Sequence, residues 1–166
     1  LSFDPIYSHF DYCSKKIRFN KSFHFFPIAL DSKKENNFNY GKIYIHKNSL
    51  SNSLYSSNGN LNINYIPIFN VKKILNYLSK EKLINLKKDT FIVRMNCEGS
   101  ELEIIKEILK MNLKIKFISG SLKDVEKKHG INAFKNIKNM LNDSNIRFYN
   151  FKGSDPSTWL NINKFN

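Results

Sequence analysis

The sequence predicts an α/β fold with a mostly parallel sheet, because short runs of strand-forming residues alternate with segments of helical periodicity. The clearest strand–helix unit lies in Asp89–Lys110, where the apolar run Phe91–Val93 leads through a polar turn into an amphipathic segment. The length of 166 residues suits one domain, and no repeat or change of composition marks a boundary. We therefore expect a single domain over residues 1–166.

The N-terminal part predicts two strands separated by a helix. Leu1–Phe3 is expected to be the end of a strand, followed by Asp4. Residues 6–17 carry apolar side chains at helical spacing and predict the helix. Ser22–Leu30 predicts the second strand, at the edge of a sheet because Pro27 has no backbone N–H to donate.

The middle of the chain predicts two more strands and a helix. A polar loop is expected over Asp31–Tyr40, then an alternating strand at Gly41–His46 and a Ser- and Asn-rich loop over Lys47–Asn60. Leu61–Phe69 predicts the next strand, and Asn70 is placed to cap a helix. The predicted buried stripe of that helix is Val71, Ile74, Leu75 and Leu78.

The central unit predicts a strand buried on both faces, because Phe91–Val93 is a continuous apolar run. Gly99 permits a tight turn after this strand. In open α/β sheets ligands bind beyond the carboxyl ends of the strands, where Asn96 and Glu98 are expected.

The helix after this turn has its own sequence signals. Ser100 and Glu103 have the spacing of a capping box, which predicts the helix start. Glu103 with Lys106, and Glu107 with Lys110, predict ion pairs on the outer face. The predicted apolar stripe is Leu102, Ile105, Ile108 and Leu109.

The C-terminal part predicts further strand–helix alternation. Leu113–Ser119 alternates as a strand. A short helix is expected to start near Ser121 and stop at Gly130, with a second helix over residues 134–141. Ile146–Phe151 predicts the last strand.

Composition limits the classes of function. The net charge of +13 suggests an anionic partner, but the basic residues are scattered along the chain, so we do not expect a nucleic-acid partner. The two cysteines are too few for a disulfide framework, and no apolar run is long enough to span a membrane. We expect a cytoplasmic protein with no membrane contact. The four histidines lack metal-ligand spacing, so no metal site is expected.

Four stretches resemble the FkbM-type methyltransferase family. VRMNCEGSELEIIKEIL resembles the family hallmark, a strand of the form lKiDvEG-E followed by a helix. SFDP resembles its second-strand ending, FPIALD its third-strand ending, and IPIFNVKKIL the segment before the hallmark. The resemblance implies a Rossmann-like methyltransferase sheet, mostly parallel, with helices on both faces.

The resemblance also implies a cofactor, S-adenosylmethionine, and roles for five residues. Asp4 would accept hydrogen bonds from the ribose hydroxyls, and Ala29 and Leu30 would lie beside the adenine. Asn96 and Glu98 would be the catalytic residues facing the methyl group and the acceptor, and Asn96 would also contact the cofactor. The implied reaction is O-methylation of a small molecule or sugar. Asn cannot take a proton at neutral pH, so a general-base role falls to Glu98.

Two features depart from the family pattern. Asn96 stands where the hallmark has Asp, and none of the six glycines forms the GxG pair of the family's first motif. The first strand–helix unit is therefore missing from the expected sheet. The start at Leu1, on a strand ending, favours a chain that is N-terminally incomplete.

The missing unit leaves two alternatives to an incomplete chain. The two flanking strands could pair directly in a smaller sheet, or the chain could be a degenerate, non-catalytic α/β interaction domain. A basic nucleic-acid-binding module is the third candidate function.

Overall fold

The computed structural model describes residues 1–4, 6, 11, 15, 24–32, 38–46, 60–97 and 99–150. The chain divides into two compact units, Leu1–Ile84 (unit 1) and Asn85–Asn166 (unit 2). The described residues form eight strands and three helices with mostly parallel pairing, which confirms the predicted α/β class. The single domain over residues 1–166 stays a prediction.

Unit 1 begins with a two-stranded parallel sheet. β1 (Ser2–Phe3) pairs with β2 (Phe25–Phe26), which confirms the strand ending at Asp4. The rings of Phe3 and Phe26 stack across this pair, with centroids 5.2 Å apart. The helix predicted between the strands lies outside the described residues except at two helical positions, Asp11 and Lys15, whose side chains form an ion pair at 2.6 Å.

The predicted single strand Ser22–Leu30 is wrong, because the chain breaks at Pro27. The Ile28 N–H donates to the Phe26 carbonyl at 2.8 Å and closes a three-residue turn centred on Pro27. After this turn β3 (Ala29–Asp31) begins, and it belongs to a different sheet from β2. Pro27 donates no hydrogen bond and has a fixed φ, so it ends one strand and redirects the chain into another.

The second sheet of unit 1 has the order β3-β5-β4. β4 (Phe38–His46) and β5 (Asn60–Asn70) are antiparallel, and β3 joins β5 in parallel. Both predicted strands are confirmed, although β4 starts three residues earlier than expected and so shortens the predicted loop Asp31–Tyr40. The predicted loop Lys47–Asn60 lies outside the described residues apart from Asn60, the first residue of β5.

One face of this sheet carries an apolar cluster. Gly41 lies on this face against Ile68, because a Cβ at this position would lie 2.1 Å from Cδ1 of Ile68 and would force that side chain to move. The cluster consists of Ala29, Ile43 and Ile66, with Ile6, Ile45 and Ile68 packed against it.

The helix after β5, α1 (Val71–Lys80), confirms its prediction in detail. The Asn70 Oδ1 accepts the backbone N–H of Lys73 at 3.1 Å, which is the expected N-cap bond. The buried residues are the four predicted ones, Val71, Ile74, Leu75 and Leu78.

Unit 2 contains a three-stranded parallel sheet in the order β6-β7-β8. Its strands are β6 (Phe91–Met95), β7 (Ile115–Gly120) and β8 (Arg147–Asn150), and its helices are α2 (Glu101–Lys110) and α3 (Lys123–Asp143). The predicted helix break is confirmed, since α3 kinks at Gly130, where φ is +84°. Buried apolar side chains come mainly from β7, α2 and α3: Leu102, Ile104, Ile105, Ile108, Phe117, Ile118, Leu122, Val125, Ile137 and Leu141.

The prediction that β6 is buried on both faces is wrong. Met95 is buried and Phe91 and Val93 are half-buried, whereas Arg94 is exposed and Ile92 is 45% exposed. Successive side chains of a strand point to opposite faces, so β6 buries one face only. A three-residue apolar run is too short to distinguish these two cases in a sequence.

Candidate functional site

The turn between β6 and α2, Asn96–Ser100, is the candidate functional site of unit 2, and Gly99 sets its shape. Gly99 has φ of +109°, in the left-handed region that favours glycine, which confirms the predicted tight turn. The Ser100 N–H donates to the Cys97 carbonyl at 3.3 Å. A Cβ at Gly99 would also lie 2.9 Å from Cδ of the flexible Lys128 side chain, which would have to move, but it is the backbone conformation that favours glycine here.

A buried carboxylate, that of Glu101, holds this turn. Glu101 is fully buried, and its two oxygens accept the backbone N–H groups of Cys97 and Gly99, the latter at 2.7 Å. Cys97 and Gly99 belong to the turn before the N-cap residue Ser100, and a backbone N–H group shielded from water needs an acceptor. Glu101 supplies both acceptors from the first residue of α2, so the helix start and the turn form one hydrogen-bonded unit.

The predicted helix start is confirmed, since Ser100 is the N-cap residue of α2, but the capping box of Ser100 and Glu103 does not form. Ser100 precedes α2 but makes no side-chain cap bond. Glu103 instead pairs with Lys106 at 2.8 Å, one of the two predicted ion pairs, and the other joins Glu107 and Lys110 at 3.5 Å. Glu101 is a residue that sequence reasoning missed, although its position in the first helical turn favours a carboxylate and it falls on the last letter of lKiDvEG-E.

A second contact fixes the turn from its carbonyl side. The His129 Nε2 lies 2.9 Å from the Gly99 carbonyl oxygen. A carbonyl can only accept, so Nε2 carries the proton and donates. His129 belongs to the first half of α3, the same segment that brings Lys128 to Gly99. Both polar groups of the Gly99 backbone thus have a side-chain partner.

The environment of Glu101 shifts its acidity. Burial raises the pKa of the Glu101 carboxyl above its ordinary value, and the nearby Asp124 adds to the rise. The backbone hydrogen bonds from Cys97 and Gly99 lower the pKa in part, because they stabilise the charged form. Desolvation is the larger effect, so the net shift is upward.

The predicted site residues of unit 2 follow β6 directly. Asn96 is exposed at the carboxyl end of this strand, and Cys97 is half-buried. Glu98 lies outside the described residues. The backbones of β6 and β7 approach closely at this end, since a Cβ at Gly120 would lie 2.4 Å from the Met95 carbonyl oxygen. The catalytic roles of Asn96 and Glu98 stay predictions.

The predicted cofactor-binding residues of unit 1 follow β1 or lie in β3. Asp4 is half-buried, and its Oδ1 accepts the Ile6 N–H at 2.9 Å. Ala29 is buried in the apolar cluster of the β3-β5-β4 sheet, whereas its neighbour Leu30 is half-buried. Their contacts with ribose and adenine stay predictions.

Additional candidate sites in the described part of the chain are few. No group of three or more His, Cys, Asp or Glu side chains among these residues is arranged to hold a metal ion. No helix in the described ranges is both long enough and apolar enough to cross a membrane. An open groove of about 650 Å³ lies between α3 and β8, with Lys138 and Arg147 among its lining residues, and contains none of the predicted site residues.

Compared with protein-family models, with curated proteins and with solved structures, the chain matches none of them. The resemblance to FkbM-type methyltransferases therefore depends on the four sequence stretches alone.

The Glu101 contacts predict a specific loss of stability. Replacing Glu101→Gln leaves one acceptor oxygen for two N–H groups, that of half-buried Cys97 and that of buried Gly99, since the other side-chain group becomes an NH₂ donor. We expect the free energy of unfolding at neutral pH to fall by about 1–3 kcal/mol. Urea denaturation followed by circular dichroism measures it. The matched control is Glu103→Gln, which removes a partly exposed ion pair and should cost less than about 1 kcal/mol. Equal losses in the two variants would contradict the proposed role of Glu101.

The raised pKa of Glu101 predicts a pH dependence with a definite sign. A carboxyl that binds its proton more tightly in the folded state contributes stability that is fully present below the ordinary pKa of 4.5. This contribution is lost as the pH rises through the higher pKa of the folded state. The unfolding free energy of the wild type, minus that of Glu101→Gln, should therefore fall as the pH is raised from 4.5 toward neutrality. A difference that increases over this interval would mean that the pKa is lowered.

Proposed function

We propose that the chain is an S-adenosylmethionine-dependent methyltransferase domain of FkbM type, which acts in the O-methylation of a small molecule or sugar. The observation that carries the proposal is the β6–α2 turn. A strand ends at Met95, directly before Asn96, Gly99 takes a left-handed conformation, and Glu101 is the first residue of the helix, in the order of the hallmark lKiDvEG-E. The parallel pairing of β1 with β2 in unit 1, and of β6 with β7 in a separate sheet of unit 2, supports the same proposal because parallel strand pairs are typical of Rossmann-like folds.

In unit 1, Asp4 would bind the ribose. Its position directly after β1 is the carboxyl end of a parallel strand, where ligands of α/β sheets bind. A carboxylate suits two hydroxyl donors, because charge-assisted hydrogen bonds are short and strong. The Ile6 N–H bond to Oδ1 would fix the orientation of the Asp4 carboxyl group. The chemistry of Asp4 therefore fits the proposed cofactor.

In unit 2, Glu98 would act as general base and Asn96 would orient the reactants. S-adenosylmethionine, when bound, supplies an electrophilic methyl group. The protein has to align an acceptor hydroxyl with that methyl group and remove the hydroxyl proton. Asn96 can donate and accept hydrogen bonds but takes no proton, so the proton would pass to the Glu98 carboxylate.

A non-catalytic α/β domain is the second candidate function, and two sequence features favour it. Asn96 replaces the hallmark Asp, and no GxG pair is present to hold the methionine end of the cofactor.

We propose that the missing glycine-rich strand–helix unit is needed for binding. A longer chain that includes the unit would bind the cofactor, whereas the 166 residues alone would not.

Calorimetric titration of S-adenosylmethionine separates these candidates. We expect no binding by the 166-residue chain and binding by a chain joined at its N-terminus to a glycine-rich strand–helix unit. In the binding form, Asp4→Asn keeps the acceptor for Ile6 but removes the charge, and should weaken affinity about tenfold or more. Asp31→Asn is the matched control, since the Asp31 carboxyl accepts the N–H of Ser32 at the end of β3.

The outcomes are distinct. Absence of binding in both forms would overturn the methyltransferase proposal and favour the non-catalytic domain. Binding by the 166-residue chain would show that the glycine-rich unit is not needed. Equal weakening by Asp4→Asn and Asp31→Asn would remove Asp4 from the proposed site.

A further inference from the structure

The outer face of the β4–β5 hairpin carries a set of aromatic side chains that the methyltransferase proposal does not use. The antiparallel register pairs Tyr40 with Pro67, Lys42 with Tyr65, and Tyr44 with Ile63. Directly opposed residues of two antiparallel strands share a face, and so do alternate residues of one strand. We call this surface the tyrosine face: Tyr40, Lys42, Tyr44, Ile63, Tyr65 and Pro67.

The tyrosine face is exposed, although it is rich in aromatic groups. Tyr40 is 69% exposed, Tyr65 is 67% exposed and Ile63 is 49% exposed, and Lys42 is exposed as well, whereas Tyr44 and Pro67 are half-buried. The opposite face of the same sheet carries the apolar cluster of Ala29, Ile43 and Ile66. The outer face of such a sheet is ordinarily polar, so exposed tyrosines at these positions indicate a binding surface.

The arrangement of the side chains is that of a stacking platform with a cation. Tyr65 stands diagonally between Tyr40 and Tyr44, and Lys42 is directly opposite Tyr65. Diagonal neighbours in a sheet are about 7–8 Å apart, so flat ligand groups could stack on successive rings. Proteins that bind single-stranded nucleic acid combine aromatic platforms for the bases with cations for the phosphates.

The positive charge of the tyrosine face and of the whole chain distinguishes between a second copy of the chain and a nucleic acid as its partner. Among the described residues of this face Lys42 is charged and none is acidic, and the whole chain carries +13. A second copy of the same chain would bring a like charge against this face, which opposes self-association. A phosphate backbone would be attracted instead. Scattered lysines alone do not favour nucleic acid, whereas a lysine among three tyrosines on one face does.

We propose that the tyrosine face binds single-stranded nucleic acid without strong sequence preference. Bases stack on Tyr65 and on its diagonal neighbours Tyr40 and Tyr44, while Lys42 contacts a phosphate. This binding does not depend on the proposed methyltransferase activity and uses none of its residues.

Fluorescence anisotropy with a labelled oligothymidylate of about ten nucleotides tests the proposal, with a duplex of the same length for comparison. We expect the single strand to bind more tightly than the duplex. Tyr65→Ala and Tyr44→Ala should each weaken binding by about fivefold or more, the effect of losing one stacked base. Tyr77→Ala is the matched control, because Tyr77 is 57% exposed on α1 of the same unit. Lys42→Ala should lower the salt dependence of log K by about 0.7, whereas the exposed Lys72→Ala should not.

Several results would overturn the proposal. These are no binding of the single strand, equal binding of the duplex, or equal losses in the Tyr65 and Tyr77 variants. Circular dichroism of each variant checks that a loss does not come from unfolding. Sedimentation of the free protein tests the second copy as occupant, since a dimer that Tyr65→Ala dissociates would make this face a self-interface. Binding of a neutral oligosaccharide that Tyr65→Ala abolishes, with no binding of oligothymidylate, would make it a carbohydrate surface.

Discussion

The hydrogen bonds from the Cys97 and Gly99 amides to the buried carboxylate of Glu101 are the constraint on which the rest of unit 2 depends. In a short turn between a strand and a helix, buried backbone N–H groups need acceptors that neither element's own hydrogen bonds supply. Glu101 accepts two of them where water is excluded, and a buried acceptor is costly to remove. The Glu101 side chain therefore links the turn to the start of α2, and these hydrogen bonds fix the path of the chain from β6 into α2.

This constraint has a consequence for the proposed chemistry. Methyl transfer requires close alignment of donor and acceptor, and small displacements of the reacting groups are costly. Glu101 holds the N–H groups of the turn, and His129 holds the Gly99 carbonyl. Asn96 begins this turn, so one of the proposed catalytic residues is attached to a backbone that is held by two elements, α2 and α3. The binding surface proposed for unit 1, the tyrosine face, does not depend on a hydrogen-bonded turn but on exposed aromatic rings on a sheet.

Much of the fold can be predicted from the sequence, because local signals and tertiary packing agree. Several features depend on only a few neighbouring residues: the Asn70 N-cap, the four buried residues of α1, the break at Gly130 and the turn at Gly99. Strand pairing is harder to predict from the sequence. The division at Pro27 into β2 and β3 depends on which neighbour each strand finds, and that is not a local property. The exposed face of β6 could not be predicted either, because a three-residue apolar run does not show whether a strand is buried on one face or on both.

The candidate site is only partly predictable. The position of Asn96 after β6 follows from the pattern, but the choice of capping group does not. Ser100 with Glu103 has the right spacing for a cap, yet Glu101 reaches the two N–H groups because the turn folds back over the helix start. The tyrosine face cannot be predicted without the register of the hairpin, because Tyr40, Tyr44 and Tyr65 come from two strands whose pairing the sequence does not determine.

Amide hydrogen exchange measured by NMR tests the role of Glu101 most directly. The amides of Cys97 and Gly99 should be protected in the wild type, and at least one of them should exchange faster in Glu101→Gln. The amide of Ile118, in the central strand of the unit 2 sheet, should remain protected in both. Unprotected Cys97 and Gly99 amides in the wild type, or unchanged exchange in the variant, would contradict the conclusion that the buried carboxylate holds the turn.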